Sequence, residues 1–197
     1  MPRVGLTPQR VVLAGAELAD SAGFDQVTLS EVARRFDVKV ASLYSHVASS
    51  HDLRTRIAQV ALLEIADRGA QELAGRSGRD ALIALGDIYR DYAREHPGRY
   101  AATRYPLDSE AASASAGVRH ADMMRAVLRG YALEGRDETH AVRLLGSVFH
   151  GFVTLELAGA FAHSEPASQD SWVRALDALD EVLRRWSTPT TPPGRTP

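Results

Sequence analysis

The stretch from Thr28 to Val47 constrains the fold more than any other part of the chain. It contains two short apolar stripes at helical spacing, and only a turn around Asp37 separates them. Thr28 is a suitable N-cap for the first of the two helices, and the second is predicted from about Lys39 to Val47. The apolar positions of the first stripe are Leu29, Val32, Ala33 and Phe36, and those of the second are Val40, Leu43 and Val47.

The polar face of the second helix carries hydrogen-bond donors and no carboxylate. Its members are Lys39, Ser42, Tyr44, Ser45 and His46. A helix that lies against phosphates and base edges favours donors and small side chains, because carboxylates there would be repelled. Two helices joined by a tight turn form a helix-turn-helix, in which the second helix enters the major groove of DNA. The sequence therefore predicts a recognition helix at this position.

Helical signals fill the rest of the chain, and strand signals are nearly absent. Thr7 and Pro8 predict the start of a first helix and Gly23 its end, and "YPLDSEAASASAG" predicts a mobile connection after a short turn at His96 to Gly98. The fold class is therefore all-α. Further helices are predicted at about 50–74, 79–95, 118–133, 137–163 and 169–186. We expect a DNA-binding domain at 1–49, a larger helical domain at 50–187 and a disordered tail at 188–197.

Composition excludes several classes of protein. The chain has no cysteine, so disulfides and zinc–thiolate sites are excluded. No secretory signal and no apolar run long enough to span a membrane occurs, so we expect a cytoplasmic protein. The alternative to a DNA-binding protein is a helical-bundle enzyme or metal-binding protein, which needs paired Glu-x-x-His motifs. Asp137 and His140 form the nearest match and stand alone. We therefore expect neither metal nor cofactor.

The segment "GFDQVTLSEVARRFDVKVASLYSHVASSHDL" resembles the DNA-binding domain of TetR-family transcriptional regulators. Two positions depart from the family pattern: Asp37 stands where glycine is common, and Ser50 where a lysine that contacts phosphate is common. Phe149-His150-Gly151 and the following "FVTLELAGAF" resemble the branch of the family with a Trp-His-Gly motif. The matching positions are Gly23, Phe24, Thr28, Val32, Ala33, Val38, Leu43, Tyr44, His46 and Leu53.

This resemblance implies a homodimeric regulator that binds double-stranded operator DNA and is released by a small hydrophobic effector, with a repressor favoured over an activator. It assigns base-edge reading to Val40, Ala41 and Ser45, of which only Ser45 can form hydrogen bonds. The other expected DNA contacts are Thr28, Ser30, Lys39, Ser42, Tyr44, His46 and Ser50.

Several of these positions have a second interpretation. Val40 shares the spacing of Leu43 and Val47 and is equally suited to the core. Tyr44 is also suited to capping the small N-terminal core, and for His46 the alternative is a merely exposed histidine. Five basic residues (Arg3, Arg10, Arg34, Arg35 and Lys39) and six acidic ones (Glu17, Asp20, Asp25, Glu31, Asp37 and Asp52) occur up to Leu53. The domain therefore lacks the basic excess that is typical of a DNA-binding domain.

An effector pocket and a dimer interface are expected in the C-terminal half. The helix predicted at 137–163 is apolar nearly all round, which indicates burial on every side, in a core or against a partner. We expect Phe152, Leu155, Leu176 and Leu183 to hold the dimer. His150 is more typical of a core histidine than of a ligand contact, and aromatic or methionine side chains at helical spacing are often plain core. The candidate effector contacts are Tyr89, Tyr92, Tyr105, Met123, Met124, Phe149, His150 and Phe152.

Overall fold

The computed structural model describes residues 5–186, in which all regular structure is helical and no strand occurs. The predicted tail and the first four residues lie outside the described residues. The α-helices are α1 (Pro8–Ala22), α2 (Leu29–Arg35), α3 (Ser50–Glu72), α4 (Gly78–Glu95), α5 (Pro97–Ala102), α6 (Ser109–Ala114), α7 (Gly117–Leu128), α8 (Gly135–Leu157) and α9 (Ser168–Arg185).

The ends of α1 and α2 follow the predicted signals. Thr7 and Thr28 are the N-caps, and their hydroxyls accept hydrogen bonds from the amides of Arg10 and Glu31 at 3.2 Å in each case. Gly23 ends α1 with a φ of 96°, and Asp37 lies in the left-handed region with a φ of 53°. An aspartate therefore takes the turn position at which glycine would be the unstrained choice.

The recognition segment, residues 39–47, is not the regular α-helix that the sequence predicts. It begins as a 3-10 helix at Val40–Ser42 and continues as turns to residue 46. Ser45 contributes to this departure, since its hydroxyl donates to the Ser42 carbonyl at 3.0 Å and so competes with helical bonding. A segment of this length gains little from helix propensity, and packing decides its conformation.

The described residues form two compact units. The first contains residues 5–69 and 90–120, and its core joins α1, α2, the recognition segment, α3 and α5. Gly98 of α5 allows a close approach to α1, because a Cβ there would lie 1.9 Å from the main-chain oxygen of Ala19. The fully buried members of this core include Val11, Ala16, Ala19, Val32, Leu43, Leu53, Ile57 and Ala102.

The second unit contains residues 70–89 and 121–186. Its interior is built around Phe149 of α8 and Trp172 of α9, whose ring centroids lie 5.8 Å apart. A Cβ on Gly86 of α4 would meet Leu176 at 2.8 Å and Trp172 at 3.0 Å, so α4 packs closely on this pair. The predicted boundary between a DNA-binding domain and a larger domain at residue 49 is a functional boundary, not a boundary between compact units. It stays a prediction.

Three expectations for the chain after residue 95 are corrected. The turn after His96 is the short helix α5. The connection predicted to be mobile contains α6, and its mobility stays a prediction. Helix α8 ends at Leu157 rather than near residue 163, and in this chain only one of its faces is buried. Leu176 and Leu183 belong to the core of their own chain instead of a dimer interface, with exposed fractions of 3% and 0%. The buried face of α8 consists of Ala141, Leu145, Phe149 and Val153.

Candidate nucleic-acid interface

The recognition segment is held to the first unit by its apolar side. Leu43 and Val47 are buried, and Val40 is half-buried against the same core. The amide of Val47 donates to the Leu43 carbonyl at 3.0 Å, which closes the last turn over these side chains. Both interpretations of Val40 therefore remain open, because part of its surface faces the core and part faces solvent.

The opposite side of the segment presents its polar groups to solvent. Tyr44 is 57% exposed, and His46 is half-buried. Ser45 already donates its hydroxyl proton to the Ser42 carbonyl, so its oxygen remains as an acceptor for a base-edge donor. The remaining exposed members of the predicted set in this segment are Lys39, Ala41 and Ser42.

The N-terminus of α3 follows the segment directly and is capped by two side chains. The Ser49 hydroxyl accepts from the Asp52 amide at 3.0 Å, and the Asp52 carboxylate accepts from the Ala48 amide at 2.7 Å. The first amides of a helix have no partner within it, so those of Ser50 and His51 remain for an external acceptor. A phosphate oxygen is such an acceptor at a helix N-terminus. Ser50 is exposed, as a phosphate contact requires.

The N-terminus of α2 offers a similar set of amides. Thr28 and Ser30 are exposed, and the Thr28 hydroxyl is used for capping. Arg54 of α3 donates to the carbonyls of Asp25 (2.8 Å) and Val27 (3.3 Å), immediately before α2. Arg54 therefore ties the start of α2 to α3, the helix whose N-terminus offers the other free amides.

Arg56 ties the recognition segment to α3. Its Nη1 donates to the His46 carbonyl at 3.2 Å, and its Nε pairs with Asp52 at 2.8 Å. Because Asp52 also holds the Ala48 amide, the end of the segment is bound from both sides. Sequence reasoning missed Ser49, Asp52 and Arg56, although Ser-x-x-Asp is a capping pattern and Asp52 with Arg56 is an i,i+4 ion pair.

Most of the basic groups near this surface are already paired. Arg34 pairs with Glu31 at 2.6 Å, and Arg35 donates to the Ala14 carbonyl at 3.0 Å and lies 3.6 Å from Glu17. Within residues 5–186, the Lys39 ammonium forms no hydrogen bond or ion pair. Lys39, the only lysine in the sequence, therefore supplies an unneutralised positive charge at the recognition segment.

Two curated relatives match this chain over most of its length. An uncharacterized HTH-type transcriptional regulator of Bacillus subtilis, YobS, is 33% identical over 83% of this chain and 86% of its own. Another of Mycobacterium tuberculosis, Rv0681, is 35% identical over 78% of this chain and 72% of its own. The family model for the tetracyclin repressor-like C-terminal domain matches residues 82–179. The chain belongs to the TetR family of transcriptional regulators.

Two solved structures share the fold of this regulator. BioQ with its natural double-stranded DNA operator matches at a TM-score of 0.67 and 21% identity, covering 91% of this chain and 99% of BioQ. A TetR variant from Acinetobacter baumannii in complex with minocycline matches at a TM-score of 0.70 and 18% identity. That match covers 92% of this chain and 98% of the TetR variant.

The predicted effector contacts of this TetR-family regulator divide between the two units. In the second unit, the Phe149 ring lies 5.9 Å from Tyr89 and 5.8 Å from Trp172. Phe152 lies 4.9 Å from Trp172. These aromatic rings therefore form one cluster. The remaining candidates of this unit are His150, which is half-buried, and Met123 and Met124, which are both buried.

Tyr92 and Tyr105 belong to the first unit. The Tyr92 hydroxyl donates to Glu64 at 2.6 Å, and burial together with this bond raises the pKa of Tyr92. Tyr105 packs edge-on against Phe24 at 5.6 Å, and its hydroxyl lies 2.9 Å from His51 Nδ1. Both tyrosines therefore take part in the packing and hydrogen bonding of the first unit.

Neither a membrane-spanning helix nor a metal cluster is found in the part of the chain that the structure describes. No helix among residues 5–186 is both long and apolar enough to cross a membrane. The same residues contain no group of three or more His, Cys, Asp or Glu side chains that could hold a metal ion.

Proposed function

We propose that this regulator is a cytoplasmic repressor without enzymatic activity, which binds double-stranded operator DNA as a homodimer. Residues 1–49 would form the DNA-binding domain, and residues 50–187 would carry the effector site and the dimer interface. The observation that carries the proposal is one exposed surface of donors: Lys39, the recognition segment and the free amides at the start of α3. BioQ, which shares the fold, has been crystallised with its operator.

In this proposal the donors divide into positioning and reading groups. Tyr44, His46, Ser42 and the amides near Thr28, Ser30 and Ser50 would contact phosphates, which fixes the register of the protein on the duplex. Val40, Ala41 and Ser45 would face base edges, where the two apolar side chains read thymine methyl groups. Half-sites would lie about one helical turn apart, or a multiple of it, to match the two-fold axis of the dimer.

A small hydrophobic effector would bind in the second unit beside the aromatic cluster. Phe149, Phe152 and Tyr89 supply the apolar surface, with Met123, Met124 and His150 as further candidate contacts. The effector must bind more tightly to a conformation that does not fit the operator, since only differential affinity shifts the population. A TetR variant with the same fold has been crystallised with minocycline.

Binding titrations with substituted proteins test the DNA-binding proposal. Operator fragments would first be selected from genomic DNA by retention on the protein. Tyr44→Ala should then weaken binding to operator and to scrambled duplexes by similar factors, because phosphate contacts carry no sequence information. Ala41→Ser should change the preferred base at one position of each half-site, by about 1–3 kcal/mol. Unchanged binding of Tyr44→Ala to both duplexes would show that the segment is not the recognition element.

A further inference from the structure

A groove in the first unit is not explained by DNA binding or by the proposed effector site. It has a volume of about 610 Å³ and lies between α1, α3 and the residues that join α6 to α7. Leu13 on α1 and Leu63 on α3 line it, and these large apolar residues are 45% and 46% exposed. Ligand sites are commonly concave, apolar and between about 300 and 1,000 Å³ in volume.

The lining of the groove is apolar apart from a few polar groups. Val12 and Val60 complete its apolar walls, and Ala114 and Ala116 add small apolar side chains. Gln59 donates to the Ala111 carbonyl at 3.2 Å, which joins α3 to α6 at this side. An apolar surface with few polar groups favours a ligand that is itself mostly hydrocarbon.

The charged residue that lines the groove indicates which polar group the ligand carries. Arg56 is the one charged residue among those that line it, and its ion-pair partner Asp52, 2.8 Å from Nε, is not among the lining residues. A guanidinium has five N–H donors, of which the contacts with Asp52 and the His46 carbonyl use two. We propose that this groove binds an apolar organic anion, with its carboxylate or sulfonate on Arg56 and its hydrocarbon between Leu13 and Leu63.

Occupation of the groove would act on the recognition segment through Arg56. The same guanidinium holds the His46 carbonyl, and a bidentate anion requires two parallel N–H groups on one edge of it. One such edge contains the Nε that Asp52 binds and the other the Nη1 that the His46 carbonyl binds, so a bidentate anion competes with one of these contacts and loosens the end of the segment. This coupling of the groove to the recognition segment rests on the proposed function, because its consequence is weaker DNA binding. By linkage, DNA weakens anion binding by the same factor.

Fluorescence titration with 8-anilinonaphthalene-1-sulfonate on the full chain, with decanoate as competitor, tests the site. Leu13→Asp and Leu63→Asp should each raise the Kd of the probe at least about tenfold, because they place negative charge beside the anion. Val118→Asp is the matched control: Val118 is 61% exposed in the same unit, lies outside the groove and should leave the Kd unchanged. Thermal melting confirms that each variant is folded.

Arg56→Gln separates recognition of the charge from support of the fold. It should raise the Kd of decanoate about tenfold and leave the affinity for decanol unchanged, because decanol has the same chain without the charge. A probe Kd that none of the groove variants changes, or that Val118→Asp changes equally, would overturn the site. Equal losses for decanoate and decanol in Arg56→Gln would overturn the role of Arg56.

The coupling has a readout that needs no DNA. Saturating decanoate should speed amide hydrogen exchange in residues 43–48, which Arg56 and Asp52 hold, and should weaken operator binding about fivefold or more. Unchanged exchange in this segment with the groove occupied would overturn the coupling. A protein that shows the exchange effect but binds no duplex contradicts the proposed function and supports the groove site.

Discussion

At the scale of the residue, basic side chains that already have an acidic partner and one that has none lie close together in the sequence of the interface. Arg34 is paired with Glu31 on the same helix, and Arg56 is held between Asp52 and the His46 carbonyl. Lys39 has no such partner within the described residues. For DNA binding, the position of this one ammonium group and of the helix N-termini beside it therefore matters more than the small number of basic residues in the domain.

Lys39→Ala should reduce the salt dependence of DNA binding. If Lys39 neutralises one phosphate, the log–log slope of affinity against salt falls by about one unit per subunit. Arg34→Ala is the matched control and should change the slope less, because Glu31 already neutralises that guanidinium at 2.6 Å. Titrations between low and moderate salt measure both slopes. If both variants lowered the slope equally, Arg34 would contribute to DNA binding as much as Lys39 does, in spite of its ion pair with Glu31.

The sequence predicts a residue's role well where the signal is local. Thr28 as a cap and Asp37 in the left-handed region are both confirmed, because each depends on atoms within a few residues. The link from Arg56 to the His46 carbonyl was not predicted, because it joins two elements whose relative placement depends on the packed core. The DNA and effector contacts themselves stay predictions.

At the scale of the element, periodicity identified which side of each helix is buried but not its backbone geometry. Leu43 and Val47 are buried as expected, yet the recognition segment is 3-10 and turn rather than α-helix. Apolar spacing of three and four residues suits either geometry over so short a segment. Helix α5 was missed because its six residues begin with Pro97 and carry no extended apolar stripe.

Gly98→Ala should destabilise the protein through the contact between α5 and α1. The added Cβ would lie 1.9 Å from the Ala19 carbonyl oxygen, so the backbone of one helix must shift. Overpacking of this kind costs about 1–3 kcal/mol and occasionally more. Gly146→Ala in α8 is the control, since nothing lies within 4 Å of its Cβ, and it should be neutral or stabilising. Chemical denaturation measures both, and similar stabilities would refute the steric argument.

His120 should make the protein less stable in mild acid. Its Nε2 lies 2.7 Å from the Leu62 carbonyl, so α7 is joined to α3 by a ring that donates from this nitrogen. Burial lowers the pKa of His120 from its ordinary value of 6.5, against the opposing effect of this hydrogen bond. A histidine with a lowered pKa stays neutral in the folded protein at a pH where the unfolded chain already binds a proton.

The stability that neutral His120 contributes is therefore full above pH 6.5 and decreases below it, down to the lowered pKa. Thermal melting between pH 7.5 and 5 should show a decrease that is smaller in His120→Gln, in which the side chain does not titrate. Identical pH dependence in the two proteins would exclude this histidine as the cause. His163, which is exposed, provides a control substitution that should leave the pH dependence unchanged.

At the scale of the whole molecule, α8 and α9 each carry a second apolar face beside the one that their own core buries. On α8 this face consists of Leu144, Val148, Phe152 and Leu155, which are half-buried or exposed. On α9 it consists of Ala175, Ala178 and Val182, and the C-cap residue Trp186 continues it. The positions follow helical spacing on each helix. The sequence showed that the helix predicted at 137–163 is apolar nearly all round, but periodicity cannot distinguish a helix's own core from a partner. Leu176 and Leu183 were for that reason assigned to the wrong interface.

These second faces are where we expect two copies to meet about a two-fold axis. Val182→Glu should raise the dimer dissociation constant at least about tenfold, because burying an unpaired carboxylate costs several kcal/mol. Val173→Glu is the matched control: both valines are 46% exposed on α9, but Val173 lies on the other side of the buried stripe. Sedimentation at micromolar concentration distinguishes the two variants.

Operator affinity should fall with the dimer in Val182→Glu, because a monomer engages only one half-site and loses the gain from linked binding. A monomeric parent protein, or equal behaviour of the two variants, would mean that this face of α9 does not form the interface.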